Sequence, residues 1–419
     1  MDKCALIVIG LIMAVLPLGA WGVDPQQEPN GPGSTIVTQP PVKYSPAEGP
    51  ILPVERIPTA LESWRLFKKD LKDRCGTDVG LVLQDQYQHI LQGPGEGNGH
   101  NLFWWNLTID QRLWKGGKLI FKARGSNTDG TPPNGISPLV GSKLNLDWAA
   151  YETTEAYIAN VYIEQRLLDD RLMLAVGKIT FPNYFDENKV AGWDFFSHSL
   201  VRNQLFPHRY HTIGALARYD LTDRLYIQTG MTDADGIRSH SGLKTTFDGD
   251  GDLIYMGETG FKAKDGHGLE GNYRLETWYD TRPLNRHDGT GTQEGTLGFG
   301  VNLDHMLTDR IGAFFRYGID DGEVRTFSHY WSAGGTWKGP LEGRSDDVLA
   351  LGIGQGLTSH DYRIANGSTR SEMILETYYK IQWTRFLSFL VDCQVLFNPG
   401  TNPANETAVI PGMRLKAVF

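Results

Sequence analysis

The sequence lacks a second long apolar stretch. The only one, residues 5–20, lies behind Lys3 and is followed by small residues at Ala20 and Gly22. This arrangement is typical of a secretory signal peptide, so we expect residues 1–22 to be removed; an uncleaved anchor helix would need about 20 apolar residues. Because no later segment could cross a bilayer as a helix, a membrane-spanning chain would have to form a closed β-barrel, which pairs every backbone group.

The sequence also contains few cysteines and has no excess of positive charge. Of the three cysteines, Cys4 lies in the expected signal peptide. Cys75 and Cys393 could pair in an oxidising periplasm, although two unrelated free cysteines is the favoured interpretation. The net charge of −9 gives no reason to expect a nucleic-acid partner.

Signatures of catalysis are missing as well. The histidines are scattered without an H-E-x-x-H pair, there is no G-x-S-x-G, and no glycine-rich loop leads into a helix. Asp248, Asp250 and Asp252 alternate in a way that could hold Ca²⁺, but the rest of an EF-hand loop is absent, so a solvated loop is favoured. We therefore expect no catalytic residue, no metal, no cofactor and no enzymatic activity.

The N-terminal region divides into two parts. Residues 23–58 are rich in Pro, Gly, Gln and Ser without periodicity, which predicts an extended linker. Residues 59–76 carry apolar side chains at helical spacing, namely Leu61, Trp64, Phe67 and Leu71. Thr59 and Glu62 form a capping pattern and Gly76 provides a stop, so a short amphipathic helix is predicted.

The remaining sequence follows a period of two. About sixteen segments alternate in this way, most of them near the ~10 residues that a tilted spanning strand requires. In residues 268–280, one face is apolar or aromatic, and the other carries Glu270, Asn272, Arg274, Glu276 and Trp278. A soluble sandwich would turn its polar face outward, whereas a barrel in lipid must turn it inward around water. Alternation alone therefore leaves both folds open.

The lengths of the connections separate the two folds. Links after even-numbered segments are mostly short, as at 168–171 and 221–224, whereas links after odd-numbered segments are often long, as at 126–154 and 180–211. Short turns on one side, long loops on the other and both chain ends on the short side are typical of outer-membrane barrels. The predicted fold class is all-β: a transmembrane antiparallel β-barrel of about sixteen strands over residues 79–419, preceded by the short helix. The recurrent L-x-D-R turn is interpreted as hairpin chemistry.

Three ordered segments resemble the OprB-type carbohydrate-selective porins. They are PNYFDENKVAGWDFFSHSLVRN at 182–203, the E-x-Y-Y and N-P-G stretch at 375–403, and the closing GMRLKAVF. The resemblance spans residues 60–419, but the Pro-rich stretch is longer than in the family and Arg65-Leu66 replaces a Gly-Gly pair. It implies a barrel of about sixteen strands, an inward-folded loop that narrows the lumen, and energy-independent diffusion of monosaccharides such as glucose.

Residues 180–211 are the candidate for such a constriction loop. They combine aromatic side chains with charges, and the constriction residues that we expect are Tyr184, Asp186, Trp193 and Arg202. A loop exposed to water would not carry so many aromatic side chains. We therefore expect it to fold against the lumen wall or around a small core of its own.

Sugar recognition needs partners for hydroxyl groups and apolar surfaces for ring faces. Carboxylates accept hydrogen bonds, Arg and Lys donate them, and Trp or Tyr covers the C–H face of a pyranose. The inward-facing positions predicted to line the pore and supply these groups are Asp110, Arg112, Arg124, Glu258, Arg274, Glu276, Trp278, Arg316, Glu376 and Lys380. Arg274, Glu276 and Trp278 share one face of one strand and form the favoured sugar-contacting trio. Both signs of charge are present, which disfavours a strongly anion-selective pore.

The sequence therefore predicts a porin of the bacterial outer membrane that lets small neutral sugars such as glucose diffuse passively. A general or anion-preferring porin is the alternative. A barrel enzyme, and a structural barrel plugged by residues 180–211 and the helix, are further hypotheses. Besides sugars, the expected partners are outer-membrane lipid and the barrel-insertion machinery, which would recognise the C-terminal strand ending in lipid-facing Phe419.

Overall fold

A computed structural model of the chain describes residues 57–128, 135–147, 156–247, 251–264 and 266–419. The predicted signal peptide at 1–22 and nearly all of the predicted linker at 23–58 lie outside the described residues. Asp248 and Asp250, two of the three carboxylates considered for Ca²⁺, lie outside them too.

The described residues form sixteen strands that close into one antiparallel barrel. Each strand pairs with its neighbours in sequence, and the first pairs with the last to complete the ring. The strands are β1 Thr77–His89, β2 Gly99–Trp114, β3 Gly117–Thr128, β4 Tyr157–Leu167, β5 Leu172–Ile179, β6 Thr212–Asp220, β7 Leu225–Asp233, β8 Leu253–Lys264, β9 Glu270–Asn285, β10 Thr292–Met306, β11 Ile311–Ile319, β12 Phe327–Lys338, β13 Val348–Thr358, β14 Ser371–Gln382, β15 Leu387–Phe397 and β16 Ala408–Val418. The predicted fold class and strand number are confirmed.

Side chains alternate between the lumen and the membrane face, as a strand requires. On β9, Arg274, Glu276 and Trp278 are buried inside the barrel, whereas Leu275 and Tyr279 are exposed on its outer wall. The same outer wall exposes further large apolar side chains, including Phe103, Leu174, Ile227, Tyr255, Phe299, Phe315, Leu351 and Leu415. An apolar outer band around a polar interior is the arrangement that a barrel in lipid requires.

Short turns lie at one end of the barrel and long links at the other. At the turns after β6, β10 and β14, a threonine hydroxyl accepts hydrogen bonds from backbone N–H groups two and three residues on; the three side chains are Thr222, Thr308 and Thr384. Such local bonds stabilise a tight reversal. This end corresponds to the periplasmic side of outer-membrane barrels, and the L-x-D-R pattern is hairpin chemistry, as predicted.

Helix α1 (Ile57–Cys75) lies beside β1 at the end that carries the short turns. Leu71 is buried, and the chain leaves the helix through Gly76 at φ +66°, a conformation that glycine adopts without steric cost. The other helices are short: α2 Ile136–Leu139, α3 His198–Val201, α4 Leu243–Phe247 and α5 His360–Asn366. Within the described residues, no helix is long and apolar enough to cross a membrane. The predicted N-terminal helix is present with nearly the predicted bounds.

Two stretches between strands fold into the barrel. We call residues 180–211 the inner loop and residues 135–147 the inner segment. Their buried apolar side chains join those of the barrel wall in one hydrophobic cluster, to which they contribute Ile136, Val140, Leu144, Leu146, Phe181, Phe185, Phe195, Phe196, Leu200 and Phe206. The aromatic side chains of the inner loop therefore pack inside the barrel, and the interior is divided between protein and open space.

Candidate functional site

Ring contacts hold the inner loop against the barrel wall. The ring of Phe195 lies edge-on to that of Tyr378, with 5.0 Å between centroids, and Phe206 packs 5.2 Å from Trp278. Within the loop, Phe206 also stacks on Phe185 at 6.4 Å. Such pairs contribute about 0.5–1.5 kcal/mol each beyond the burial of their area. The loop thus does both things considered from the sequence: it packs on the wall and forms a small core of its own.

Asp186 is the centre of a buried polar network. Its carboxylate accepts hydrogen bonds from Arg316 Nε at 2.9 Å, from the Asn302 side chain at 2.9 Å and from the Asn203 backbone N–H at 2.7 Å. His208 Nε2 lies 3.2 Å from the same carboxylate. Because Arg316 belongs to β11 and Asn302 to β10, one carboxylate of the inner loop is tied to two strands of the wall.

The two charges of the Asp186–Arg316 pair are completely buried. Burial alone would raise the pKa of Asp186, but nearby Arg316 and His208 hold it well below its usual value. Burial also lowers the pKa of His208. At neutral pH, an ionised carboxylate and a guanidinium therefore face each other beside a neutral imidazole. Removing one partner of such a buried pair leaves the other charge uncompensated and costs about 3–5 kcal/mol.

Glutamates on the wall accept hydrogen bonds from the backbone of the inner loop. Glu376 of β14 accepts from the N–H groups of Phe196 at 2.5 Å and Ser197 at 2.9 Å. Glu258 of β8 accepts from the N–H of Asp186 at 3.2 Å. Buried backbone N–H groups need a hydrogen-bond partner, and these two side chains supply it. Two residues predicted to line the pore thus position the loop.

Cations on the wall complete the attachment of the inner loop. Lys380 of β14 forms an ion pair with Asp194 of the loop at 2.6 Å. Arg414 of β16 donates a hydrogen bond to the carbonyl oxygen of Trp193 at 2.9 Å. Arg202, within the loop, places its guanidinium 4.8 Å from the centroid of the Trp193 ring. Three of the four expected constriction residues, Asp186, Trp193 and Arg202, therefore serve to fix the loop in the lumen.

The inner segment is attached by the same chemistry. Glu372 of β14 accepts hydrogen bonds from Ser142 Oγ at 2.8 Å and from the N–H of Lys143 at 2.9 Å. Gln394 of β15 donates to the carbonyl oxygen of Leu146 at 2.9 Å. Polar side chains on neighbouring strands of the wall thus satisfy backbone groups of both stretches that enter the barrel.

The favoured sugar-contacting trio lies on the inner face of β9, as predicted, but the inner loop covers it. Arg274 is paired with Asp304 of β10 at 2.8 Å, and Glu276 is 3% exposed. Trp278 is 1% exposed and donates its indole N–H to Asp320 at 2.8 Å. In this structure the trio offers no open ring face to a sugar, because its surface is used to support the loop.

Three further predicted residues lie on β2 and β3. Arg124 is completely buried, with its guanidinium 5.0 Å from the centroid of the Trp104 ring. Asp110 is only partly buried and has Lys118 3.9 Å away, and Arg112 is exposed. Asp110 and Arg112 therefore reach the open mouth at the short-turn end, whereas Arg124 lies inside the packed part of the barrel.

A polar cavity of ≈ 260 Å³ lies between the inner loop and the short-turn end of β4 to β8. The charged and aromatic side chains among those that line it include Arg166, Arg171, Tyr184, Glu187, Arg218, Asp220 and Lys262. Of these, Tyr184 was expected in the constriction loop, and Arg218 lies on β6. Arg166, Arg171 and Lys262 were missed, although Arg171 stands in an L-x-D-R turn. The sequence signal that could have identified them is an Arg or Lys that recurs where a strand meets a short turn.

The cavity combines hydrogen-bond donors, hydrogen-bond acceptors and the aromatic ring of Tyr184. The Arg218 guanidinium lies 3.7 Å from the centroid of the Tyr226 ring and 3.1 Å from the Asp220 carboxylate. The hydroxyls of Tyr184 and Tyr162 lie 2.8 Å apart. Glu187 adds a second carboxyl group to the lining of this space, and burial raises its pKa. This set of groups matches the needs of a polyhydroxylated ligand.

The described residues contain no group of three or more His, Cys, Asp or Glu side chains placed to hold a metal ion. Cys393, on β15, is a free cysteine. The pairing of Cys75 with Cys393 that was considered from the sequence is therefore not formed.

Comparison with known proteins relates the chain to porins. Porin AaxA of Chlamydia pneumoniae is 21% identical over 274 residues, which are 63% of this chain and 59% of that protein. Porin B of Pseudomonas aeruginosa is 21% identical over 243 residues, 48% of this chain and 54% of that protein. The chain thus spans less than two thirds of the length of either curated relative.

The barrel also has counterparts among solved structures. The high-pH structure of OprB from Pseudomonas putida superimposes with a TM-score of 0.76 at 17% identity, covering 85% of this chain and 97% of that one. At this identity the likeness concerns the fold. Residues 111–419, well over half of the chain, match the family of carbohydrate-selective porins named OprB. The chain belongs to the OprB family of carbohydrate-selective porins.

Proposed function

We propose that this outer-membrane barrel lets small carbohydrates such as glucose diffuse passively through its lumen. The observation that carries the proposal is the polar cavity below the inner loop, where Arg218, Asp220 and Tyr184 present a donor, an acceptor and a ring within one space. A sugar hydroxyl can donate to the carboxylate and accept from the guanidinium, so a neutral polyol finds partners of both kinds. The family and the barrel fold support a channel rather than an enzyme.

The inner loop is proposed to be the constriction above this cavity. Its position is fixed by completely buried contacts, among them the Asp186–Arg316 pair and the bonds from Glu376 to the loop backbone. Hydrogen bonds in the protein interior are electrostatically stronger than those in water, so these contacts favour one position of the loop. The width of the passage would then be a fixed property of the folded chain, and permeation would depend on the size of the solute.

Single-channel currents across planar bilayers test the proposed function. We expect discrete current steps that glucose reduces in a saturable manner. Reversal potentials in a KCl gradient, with and without glucose, distinguish a sugar channel from a general or anion-preferring porin. Glucose would not change the currents of the latter. A protein that inserts but gives no steps would instead support a plugged structural barrel, which the filling of the lumen by the inner loop and the inner segment makes the second candidate.

Replacing Arg218 by glutamine tests the cavity itself. We expect the glucose concentration for half-maximal block to rise about tenfold, because a hydrogen bond to a charged group contributes about 1.5–3 kcal/mol and ~1.4 kcal/mol is a factor of ten. Arg310→Gln is the matched control, since Arg310 lies exposed in a turn and outside the cavity. Equal block in both variants would exclude the cavity from the sugar path.

The C-terminal aromatic residue is proposed to be recognised during insertion into the outer membrane. Phe419 stacks on Phe386 with 6.3 Å between ring centroids, and its backbone exchanges hydrogen bonds with Leu81 of β1 at 2.8 and 3.2 Å. Phe419→Ala keeps the backbone bonds and removes only the ring. We expect several-fold less folded barrel in outer membranes, measured by heat-modifiable gel mobility, with unchanged conductance per channel. Wild-type amounts would contradict a role in recognition.

A further inference from the structure

Helix α1 is attached to the barrel mouth near both of its ends. Towards its N-terminal end, Glu62 forms an ion pair with Arg385 in the turn between β14 and β15, at 2.7 Å. Near its C-terminal end, Lys72 lies 2.5 Å from Asp78 at the start of β1, and Leu71 is buried. The helix therefore extends along the periplasmic rim from β1 towards β14 and β15 instead of pointing away from it.

The rim under this helix carries two carboxylates that face each other. Asp78 of β1 is the direct cross-strand partner of Asp110 of β2. On β1, Asp78 lies an even number of residues from buried Gln84, and on β2 Asp110 lies an even number of residues from buried Asn106. Both carboxylates therefore lie on the inner face of the barrel. Like charges directly opposite each other in a sheet are destabilising. The pair therefore needs counter-charges, and it lies where solutes leave the barrel.

The counter-charges come from two sources. Lys118 of β3 lies 3.9 Å from Asp110. Lys72 of α1 binds Asp78, which raises the pKa of Lys72, and Asp110 acts on it in the same direction. Lys68 precedes Lys72 by one helical turn, so the two lysines share one face of α1, and Lys68 is partly buried there. Lys68 and Lys72 thus present a cationic face of α1 to the acidic pair of the barrel.

Other cations of the same helix take no part in this contact. Lys69 is exposed, and Arg74 is mostly exposed and paired with Asp70 of its own helix at 2.6 Å. The helix therefore carries one pair of cations directed at the mouth and another directed at solvent. This difference supplies a matched control within a single element.

We propose that α1 sets the ion preference of the periplasmic mouth, with Lys68 and Lys72 offsetting the carboxylates of Asp78 and Asp110. With the helix in place, its two lysines match the two carboxylates in number, and the mouth does not favour cations over anions. Without the two lysines, the acidic pair keeps Lys118 nearby but loses the cations that the helix supplies, and the channel becomes cation-preferring. This inference rests on the proposed function, because an ion preference exists only in a barrel that conducts.

The test compares two double variants with equal loss of charge. In a KCl gradient at low ionic strength, Lys68→Gln with Lys72→Gln is expected to raise the permeability ratio of K⁺ to Cl⁻ several-fold. Lys69→Gln with Arg74→Gln is expected to leave it at the wild-type value. At ~1 M salt the difference should vanish, because the Debye length falls to about 3 Å. Heat-modifiable mobility of each variant verifies that the barrel has folded.

Compensation completes the test. Adding Asp78→Asn to the Lys68→Gln, Lys72→Gln variant should return the ratio towards the wild-type value, since the uncompensated carboxylate is then gone. Equal shifts in both double variants, or no shift in either, would overturn the role of α1. Those results leave the proposed function intact if glucose still blocks the current. A wild-type protein that never conducts would instead refute the proposed function.

Discussion

Asp186→Ala is expected to raise single-channel conductance several-fold and to relax the size limit for sugars. The substitution removes the acceptor for Arg316, Asn302 and the Asn203 backbone, and it leaves the Arg316 guanidinium buried without its carboxylate. Such an uncompensated charge costs about 3–5 kcal/mol. The inner loop is the part that can leave, because the wall strand that carries Arg316 is held by the backbone bonds of the barrel on both sides. Conductance in planar bilayers measures the effect.

Asp309→Ala provides the control for this variant. Asp309 is a carboxylate in a turn at the short-turn end, with 86% of its side chain exposed. Its removal should change neither the conductance nor the sugar limit. An Asp186→Ala channel with wild-type conductance and wild-type exclusion of larger sugars would show that the inner loop does not set the width of the passage.

Trp278→Ala is expected to act through the packing of the inner loop and not through contact with sugar. The ring fills a buried site against Phe206, and its N–H is bonded to Asp320. Truncating a buried tryptophan to alanine costs about 3–5 kcal/mol. Limited proteolysis should therefore cut the inner loop more than tenfold faster, while Trp278→Phe, which keeps most of the ring volume, should change the rate much less.

The control for Trp278 is Trp337→Ala, a tryptophan 44% exposed on β12. It should leave the cleavage rate of the inner loop unchanged. A Trp278→Ala protein with wild-type resistance to protease but weakened glucose block would contradict the packing role and restore Trp278 as a direct sugar contact.

The barrel could be predicted because the features that specify it are local. The alternation of side chains depends on neighbours two residues apart, and the turn at Thr222 or Thr308 is stabilised by bonds across two or three residues. The separation of short links from long links then identified which end of the barrel faces the periplasm. These signals are contained in short windows of sequence, so the sixteen strands and their inward faces could be predicted.

The interior could not be predicted in the same way. The sequence predicted that Glu258 and Arg316 point into the barrel. Whether an inward side chain contacts water or protein, however, depends on residues far away in the sequence. Asp186 bonds to Glu258 across 72 residues and to Arg316 across 130. Asp186 also adopts φ +54°, which is uncommon for a residue other than glycine. No local pattern specifies these pairings, so the contacts that anchor the inner loop could not be predicted from the sequence.

The cavity was partly missed for a related reason. Arg171 was assigned to turn chemistry, and it does donate to the carbonyl oxygens of Asp220 and Leu221 at 3.1 and 2.9 Å. Arg171 also lines the cavity, together with Asp170 of the same turn. A residue can serve both a turn and a lumen, and only the closed barrel shows that the two are adjacent.

Swelling of liposomes in sugars of graded size tests most directly whether this barrel is a sugar channel narrowed by its inner loop. Wild-type protein should admit glucose and exclude longer oligosaccharides, and Asp186→Ala should admit solutes that the wild type excludes. Liposomes that fail to swell in glucose, or an exclusion limit that is the same in both proteins, would contradict the account.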